Sequence, residues 1–436
     1  MTAPIRRSTA GPAGIGIPAL LLPLALLLGA AGPVAAQSPV ALWDRAGDET
    51  RGAALSAGIR VVRSQAIDLD ATRAVGAELE AGARIRLPLF EDLAVEGTVI
   101  ARNERGPGSR SIKGRVDGPV GGRFFLVGEG EAVVGNVVLD DGRAFRIRPA
   151  RDGTGSVVRE IDARNAAPCR NDGGQIRPVP RQEDSGDLRR GTKADDGSLI
   201  DVQVLYTAAA RDSLGSTAAM RAWVQLAIDV TNDAYELSQV SHRLRLVGRA
   251  QTAWVENGAN TATALLALTD ASDTIMDEAH DLRDQNGADI VSLVFVASDP
   301  CGRGWVGGTS DDGDGFNVNH WNCIDAAGGW TLSHEIGHNL GSGHDVASPD
   351  GPIFDYALGH QIAGDTGTWT TIMARRAVVG DRIGYFSNPN VDFDGAATGV
   401  ANGETGAADN RLAYANVDAT VANWRQSLPS ADMLRT

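Results

Sequence analysis

Three of the chain's seven histidines crowd into HEIGHNLGSGHD, which runs from His334 to Asp345. His334 and His338 stand four residues apart, and on a helix that places both imidazoles on one face, a turn from each other. Two neutral imidazoles at that separation chelate Zn²⁺. Glu335 projects beside such an ion rather than onto it, within reach of its water. Gly341 comes three residues after His338; a glycine there takes positive φ and turns the chain out of the helix, so that His344 returns as a third ligand. Three protein ligands leave one position open, as in a catalytic rather than a structural zinc site. A lone HExxH is a weak signal, but here five specified positions fall in register with Asp345 directly behind.

Positioning these groups requires a helix over the motif and a sheet to carry it. The stretches at 199–207, 242–255, 288–297 and 315–321 read as strands. Helical periodicity runs over 217–238, where Met220, Val224, Ala227, Ile228, Ala234 and Leu237 share a face, over 262–287 ending at Gly287, and over 410–426. Strands interleaved with long helices predict a mixed sheet in an α/β (α+β) domain over 199–427, followed by a tail at 428–436. Upstream, from about 58 to 161, the pattern is period two with turn signals such as Asp141-Gly142, which predicts an antiparallel β-rich module within 37–168. The stretch at 169–198 is rich in Pro, Gly, Asp and Arg and reads as an exposed linker; Arg189-Arg190 there suits a processing protease. Residues 1–36, with Arg6 and Arg7, an apolar run and Val34-Ala35-Ala36, read as a cleaved signal peptide and so predict secretion.

Residues 1–194 carry a net charge of +4 and residues 195–436 one of −19, and no lysine follows Lys193. So acidic a second half argues against nucleic acid or an anionic membrane as partner. The lopsided charge serves solubility first; docking of the milder first half on the acidic second half is a weaker reading. Of the three cysteines, Cys301 and Cys323 flank a Gly-rich stretch and form the natural disulfide pair, leaving Cys169 over.

The register H-E-x-x-H-x-x-G-x-x-H resembles the signature of the metzincin zinc endopeptidases. Asp345 after it looks like the adamalysin (reprolysin) branch, TIM at 371–373 looks like that branch's Met-turn, and YFSNP at 385–389 resembles the bacterial peptidyl-Asp metalloendopeptidases. The resemblance covers roughly 199–425. Arg375 stands where astacins and serralysins carry a tyrosine, and one disulfide is fewer than animal adamalysins usually have.

The resemblance implies a metzincin-like catalytic domain preceded by a β-rich prodomain, with protein or peptide substrates and the chain's own prodomain as inhibitor. Glu335 would be the general base, Asp345 an anchor for the third-histidine loop and Met373 an apolar floor under the metal. An edge strand near GWVGG (304–308) would pair with extended substrate. The S1′ wall would follow the Met-turn, where Arg375, Arg376 and Arg382 suit an acidic P1′ side chain or simply offset the acidic surface. For Cys169 three fates stand open: a cysteine switch on the metal, an unreactive thiol or an intermolecular disulfide. His320 is a lesser metal candidate, read as structural or near the cleft. DDGDG (311–315) carries Ca²⁺-like carboxylates but lacks an EF-hand's distant Glu, and reads first as a solvated turn. Two rival readings are a secreted zinc-containing binding or adhesion module with weak or no catalysis, and a β-rich module that is never removed.

Overall fold

The computed structural model describes residues 38–54, 57–106, 108–150, 155–166, 169, 195–299, 301–375 and 381–428. The chain divides into Met1–Ser38 and one compact unit, Pro39–Thr436, which holds every described element. The signal read at 1–36, most of the linker with Arg189-Arg190, and the tail from 429 lie outside the described residues. No described helix is long and apolar enough to cross a membrane.

The first half builds a ten-stranded sheet. Successive strands from Arg84–Phe90 to Ser156–Asp162 pair antiparallel; Arg60–Asp68 and then Asp44–Ala54 continue to one edge, and Val40–Ala41 pairs parallel with Arg84–Phe90 at the other. Leu42 and Trp43 alone join Val40–Ala41 to Asp44–Ala54, so the sheet curls until its edges approach. Its alternation serves two cores. Phe124, Leu126, Val133 and Val137 face inward with Trp43, Ile85, Phe145 and Ile147. Phe125, Val127 and Val134 face outward and are buried as well, in the core of the second half. GRFFLVG is therefore apolar on both faces.

In the second half, four strands run parallel in the order Arg243–Gln251, Leu199–Tyr206, Ile290–Phe295, Phe316–His320. Gly302–Gly304 pairs antiparallel at the outer edge, slightly before the expected 304–308. The result is the mixed α/β sheet that the strand and helix order predicts. Helix Thr217–Leu237 starts where Ser216 accepts from the Ala219 N–H at 3.1 Å. It is buried nearly all round, because the second sheet's core and the first sheet press on opposite sides of it.

The helix expected over 262–287 is two helices, Thr261–Thr269 and Glu278–Asn286. Between them Asp270 accepts from the Ser272 N–H and Asp273 from the Ile275 N–H, and Thr274 and Met276 take positive φ. Short polar side chains that bond the backbone locally compete with the helix, and here they win. Gly287 ends the second helix in the left-handed region, as read. The closing helix, Asn410–Val421, is shorter than expected and is capped by Asp409, which accepts from the Leu412 N–H.

Candidate active site

Strand Phe316–His320 leads into a loop tied back to the edge strand by a Cys301–Cys323 disulfide. The loop ends at Trp330, held at φ 56° with its N–H on the Asp325 carbonyl, and helix Thr331–Asn339 begins. Every residue of that helix is buried. Its ring pair His334 and His338 lies at 4.7 Å between centroids, perpendicular. Gly341 has φ +85°, and a Cβ there would strike Ile353, so only glycine makes this exit. The turn carries His344 back to 5.1 Å from His334 and 4.8 Å from His338.

Each imidazole is held by its Nδ1. His334 Nδ1 meets the Ile372 carbonyl at 2.7 Å, His338 Nδ1 the Ser342 carbonyl at 2.7 Å and His344 Nδ1 the Asp350 carboxylate at 2.5 Å. With Nδ1–H donating to these acceptors, the three Nε2 atoms keep lone pairs turned inward. Among the described residues, Nε2 of His334 and of His344 and Oε1 of Glu335 are buried with no hydrogen-bond partner. The two orphaned imidazole nitrogens belong to one converging cluster and fit a cation. Cys169 Sγ joins the group: it and one atom from each histidine all lie within 4.8 Å of one another. Imidazole nitrogens and a thiol are the donor set of zinc.

The pocket disfavours charge on its own groups. Burial, reinforced by the neighbouring imidazoles, depresses His334 and His338, the latter to about 3. Both are thus neutral and ready to ligate. Burial raises Glu335 to about 8, and burial together with the nearby Glu335 carboxyl raises Cys169. Met373 is fully buried beneath the helix, where a Cβ on Gly337 would meet its sulfur.

Asp345 does not touch the His344 ring. Its carboxylate accepts from the Ala347, Ser348 and Arg375 N–H groups and ties the loop after His344 to the turn after Met373. The ring's partner is Asp350, which the sequence reading missed because a lone Asp before Gly351 looks like turn chemistry. Ile372 was missed too, since it acts through a carbonyl. The arginines are more committed than a pocket reading expects. Arg375 pairs with Asp350 at 2.6 Å, and Arg382 donates to the Gly329 and Ala374 carbonyls. Arg376 lies outside the described residues. His320 is buried away from the cluster, its Nδ1 accepting from the Asn322 N–H. In DDGDG, Asp312 pairs with Arg425 and Asp311 caps the Gly313 N–H, so this turn is held by an arginine and its own backbone.

Asp350 therefore fixes the tautomer and direction of the His344 ring. Asp350→Asn is expected to weaken zinc binding about 10- to 100-fold, the usual cost of losing such a partner. Competition against a chromophoric chelator measures it, with circular dichroism as the check on folding. An unchanged affinity would remove Asp350 from the metal site.

A sequence model described as metallo-peptidase family M12B, reprolysin-like, matches residues 198–403. The chain is 30% identical over 401 residues to a peptidyl-Asp metalloendopeptidase of Stenotrophomonas maltophilia (strain R551-3), covering 89% of this chain and 93% of that one. It is 33% identical over 315 residues to a protein of the same name from strain K279a, covering 70% and 71%. A third of that name, from Xanthomonas campestris pv. campestris, is 30% identical over 305 residues, covering 69% of each. With its imidazole cluster and these likenesses along most of its length, the chain belongs to the peptidyl-Asp metalloendopeptidase family of reprolysin-like zinc metalloendopeptidases.

Proposed function

We propose that the chain is made as a secreted zymogen, with a signal peptide at 1–36, a prodomain at 37–168, a linker at 169–198 and the catalytic domain at 199–427. Its Cys169 is the latch, and its mature form cuts on the amino side of Asp. One observation carries the latency. Cys169 Sγ lies 3.7 Å from His338 Nε2 and donates to Glu335 Oε2 at 3.4 Å, so one thiol stands at both the ligand cluster and the base. While it stays there, neither water nor a substrate carbonyl reaches Glu335.

His334, His338 and His344 would hold the metal. Zinc, when bound, supplies a Lewis acid that polarises the scissile carbonyl and acidifies water. Glu335 takes the proton of the attacking water and passes it to the departing amine. The Nδ1 anchors keep the imidazoles neutral and fixed, and Met373 closes the floor. Gly302–Gly304 is the outermost strand of its sheet, and extended substrate adds along it by backbone hydrogen bonds.

Preference for Asp rests on the names of the relatives and on charge. Arg382 is one of the cations whose field reaches His334, Glu335 and Cys169, and Arg303, on the edge strand, acts on Glu335 and Cys169 as well. An acidic P1′ side chain is therefore drawn to the Arg382 side of the cleft. Arg375, occupied by Asp350, serves the ligand loop.

Three outcomes test this reading. Glu335→Gln keeps its zinc by metal analysis but loses about 10²–10⁴ in kcat, the share of a general base; full proteolysis by that variant would refute the assignment. Cys169→Ser in the uncut chain hydrolyses a quenched peptide that the uncut wild type leaves intact, and equal latency of the two would discard the latch. On matched peptides, kcat/KM is higher for P1′ Asp than for Asn or Leu, and equal values would discard the Arg382 account.

A further inference from the structure

Arg146 belongs to the first sheet, yet its guanidinium is buried in the second half. Its side chain is 1% exposed and that of its partner Asp325 0%. Nε donates to Asp325 Oδ2 at 2.9 Å and Nη2 to Oδ1 at 2.6 Å. Nη1 donates to Asn322 Oδ1 at 2.6 Å and Nη2 also to the Asn322 carbonyl at 3.0 Å. The guanidinium carbon lies 5.0 Å from the centre of the Trp223 ring. A forked carboxylate, two further acceptors and an aromatic face together make a receptor shaped for one planar cation. Asn136, from the neighbouring strand, donates to Asp325 Oδ2 at 2.7 Å and accepts from the Ala326 N–H at 3.1 Å.

Around this receptor the contact is apolar. Phe125, Val127 and Val134 share a core with Met220, Trp223, Trp321 and Trp330. Ile59, Val61 and Ile161 pack with the cysteines of the disulfide. The rim is charged and of complementary sign: Arg105 pairs with Asp229, and Lys113 with Asp233 and Glu236, all three acids on helix Thr217–Leu237. An apolar centre, a buried forked ion pair and a charged rim are the anatomy of a stable protein–protein interface.

We infer that cutting the linker does not release the β module: it remains as a tight noncovalent ligand of the catalytic half, anchored by Arg146 in the Asp325–Asn322–Trp223 receptor. The inference rests on reading the module as a prosegment. Activation then needs a second event, destruction or displacement of the module.

The test uses the full chain with a site-specific protease sequence placed within 170–194, purified folded and then cut. Size-exclusion chromatography at micromolar and nanomolar concentration reads association, and peptide hydrolysis is followed on the same fractions. The two pieces are expected to co-elute, in high salt as well as low. Arg146→Ala is expected to weaken them on the order of 100-fold or more, because it strands a buried carboxylate. Arg146→Lys keeps the charge without the fork and gives a smaller loss, which preserves the comparison where the alanine variant does not fold. Arg105→Ala changes the salt dependence and association rate rather than dissociation. Separation of the wild-type pieces on cutting, or full affinity in the Arg146 variants, would overturn the inference. A co-eluting pair that cleaves peptide would leave the association standing but sink the latency reading, and with it the need for a second event.

Discussion

Three imidazoles converge in one buried pocket with their Nε2 atoms turned inward, and the second half is arranged around that constraint. A buried acceptor without a partner costs roughly 1–3 kcal/mol. The fold carries that cost at His334 and His344, and again at Glu335. On the proposed reading a zinc ion would offset it at the imidazoles. What the protein must supply is rigidity, and it draws this from three places: the Ile372 carbonyl at the Met-turn, the Ser342 carbonyl just past the motif helix, and Asp350 in the following loop. Asp345 and Arg375 fasten two of those segments to each other. The geometry of the three imidazoles is thus a product of tertiary assembly, although the histidines themselves lie within eleven residues.

That difference explains what could be read from the sequence. The histidine triad, Glu335 beside it and the glycine exit follow from helical spacing and backbone freedom, and both are local. The mixed sheet follows from the order of periodic segments. Asp350 was not readable, because nothing near it in sequence says which loop will close over His344. The break near 270–277 was hidden inside an apolar periodicity that its own aspartates overrule. In AFRIRP, strict alternation assigns Arg146 and Arg148 to solvent, yet both are buried. Alternation says which residues share a face; it does not say what covers that face.

The charge asymmetry acquires a structural address in the same way. The acids of helix Thr217–Leu237 face basic residues of the first half, so part of the imbalance between the halves is offset across their contact rather than in solvent. A helix buried nearly all round with an acidic strip is suited to lying between two layers. In the intact chain the first sheet is therefore the cover of that helix.

On the proposed reading, latency and association then have separate physical origins. The Cys169 thiol sits where burial holds its pKa up, so by itself the pocket gives a thiolate no welcome; its grip comes from a cation among the imidazoles. The Arg146–Asp325 pair owes nothing to that cation. It is a charge pair whose partners become costly to leave once apolar packing has sealed them in. The latch therefore answers to metal, while the interface answers to whatever can break or digest a β-sheet module. A protease precursor built this way stays closed when its linker is nicked by accident, because the nick removes a tether and neither of the two contacts.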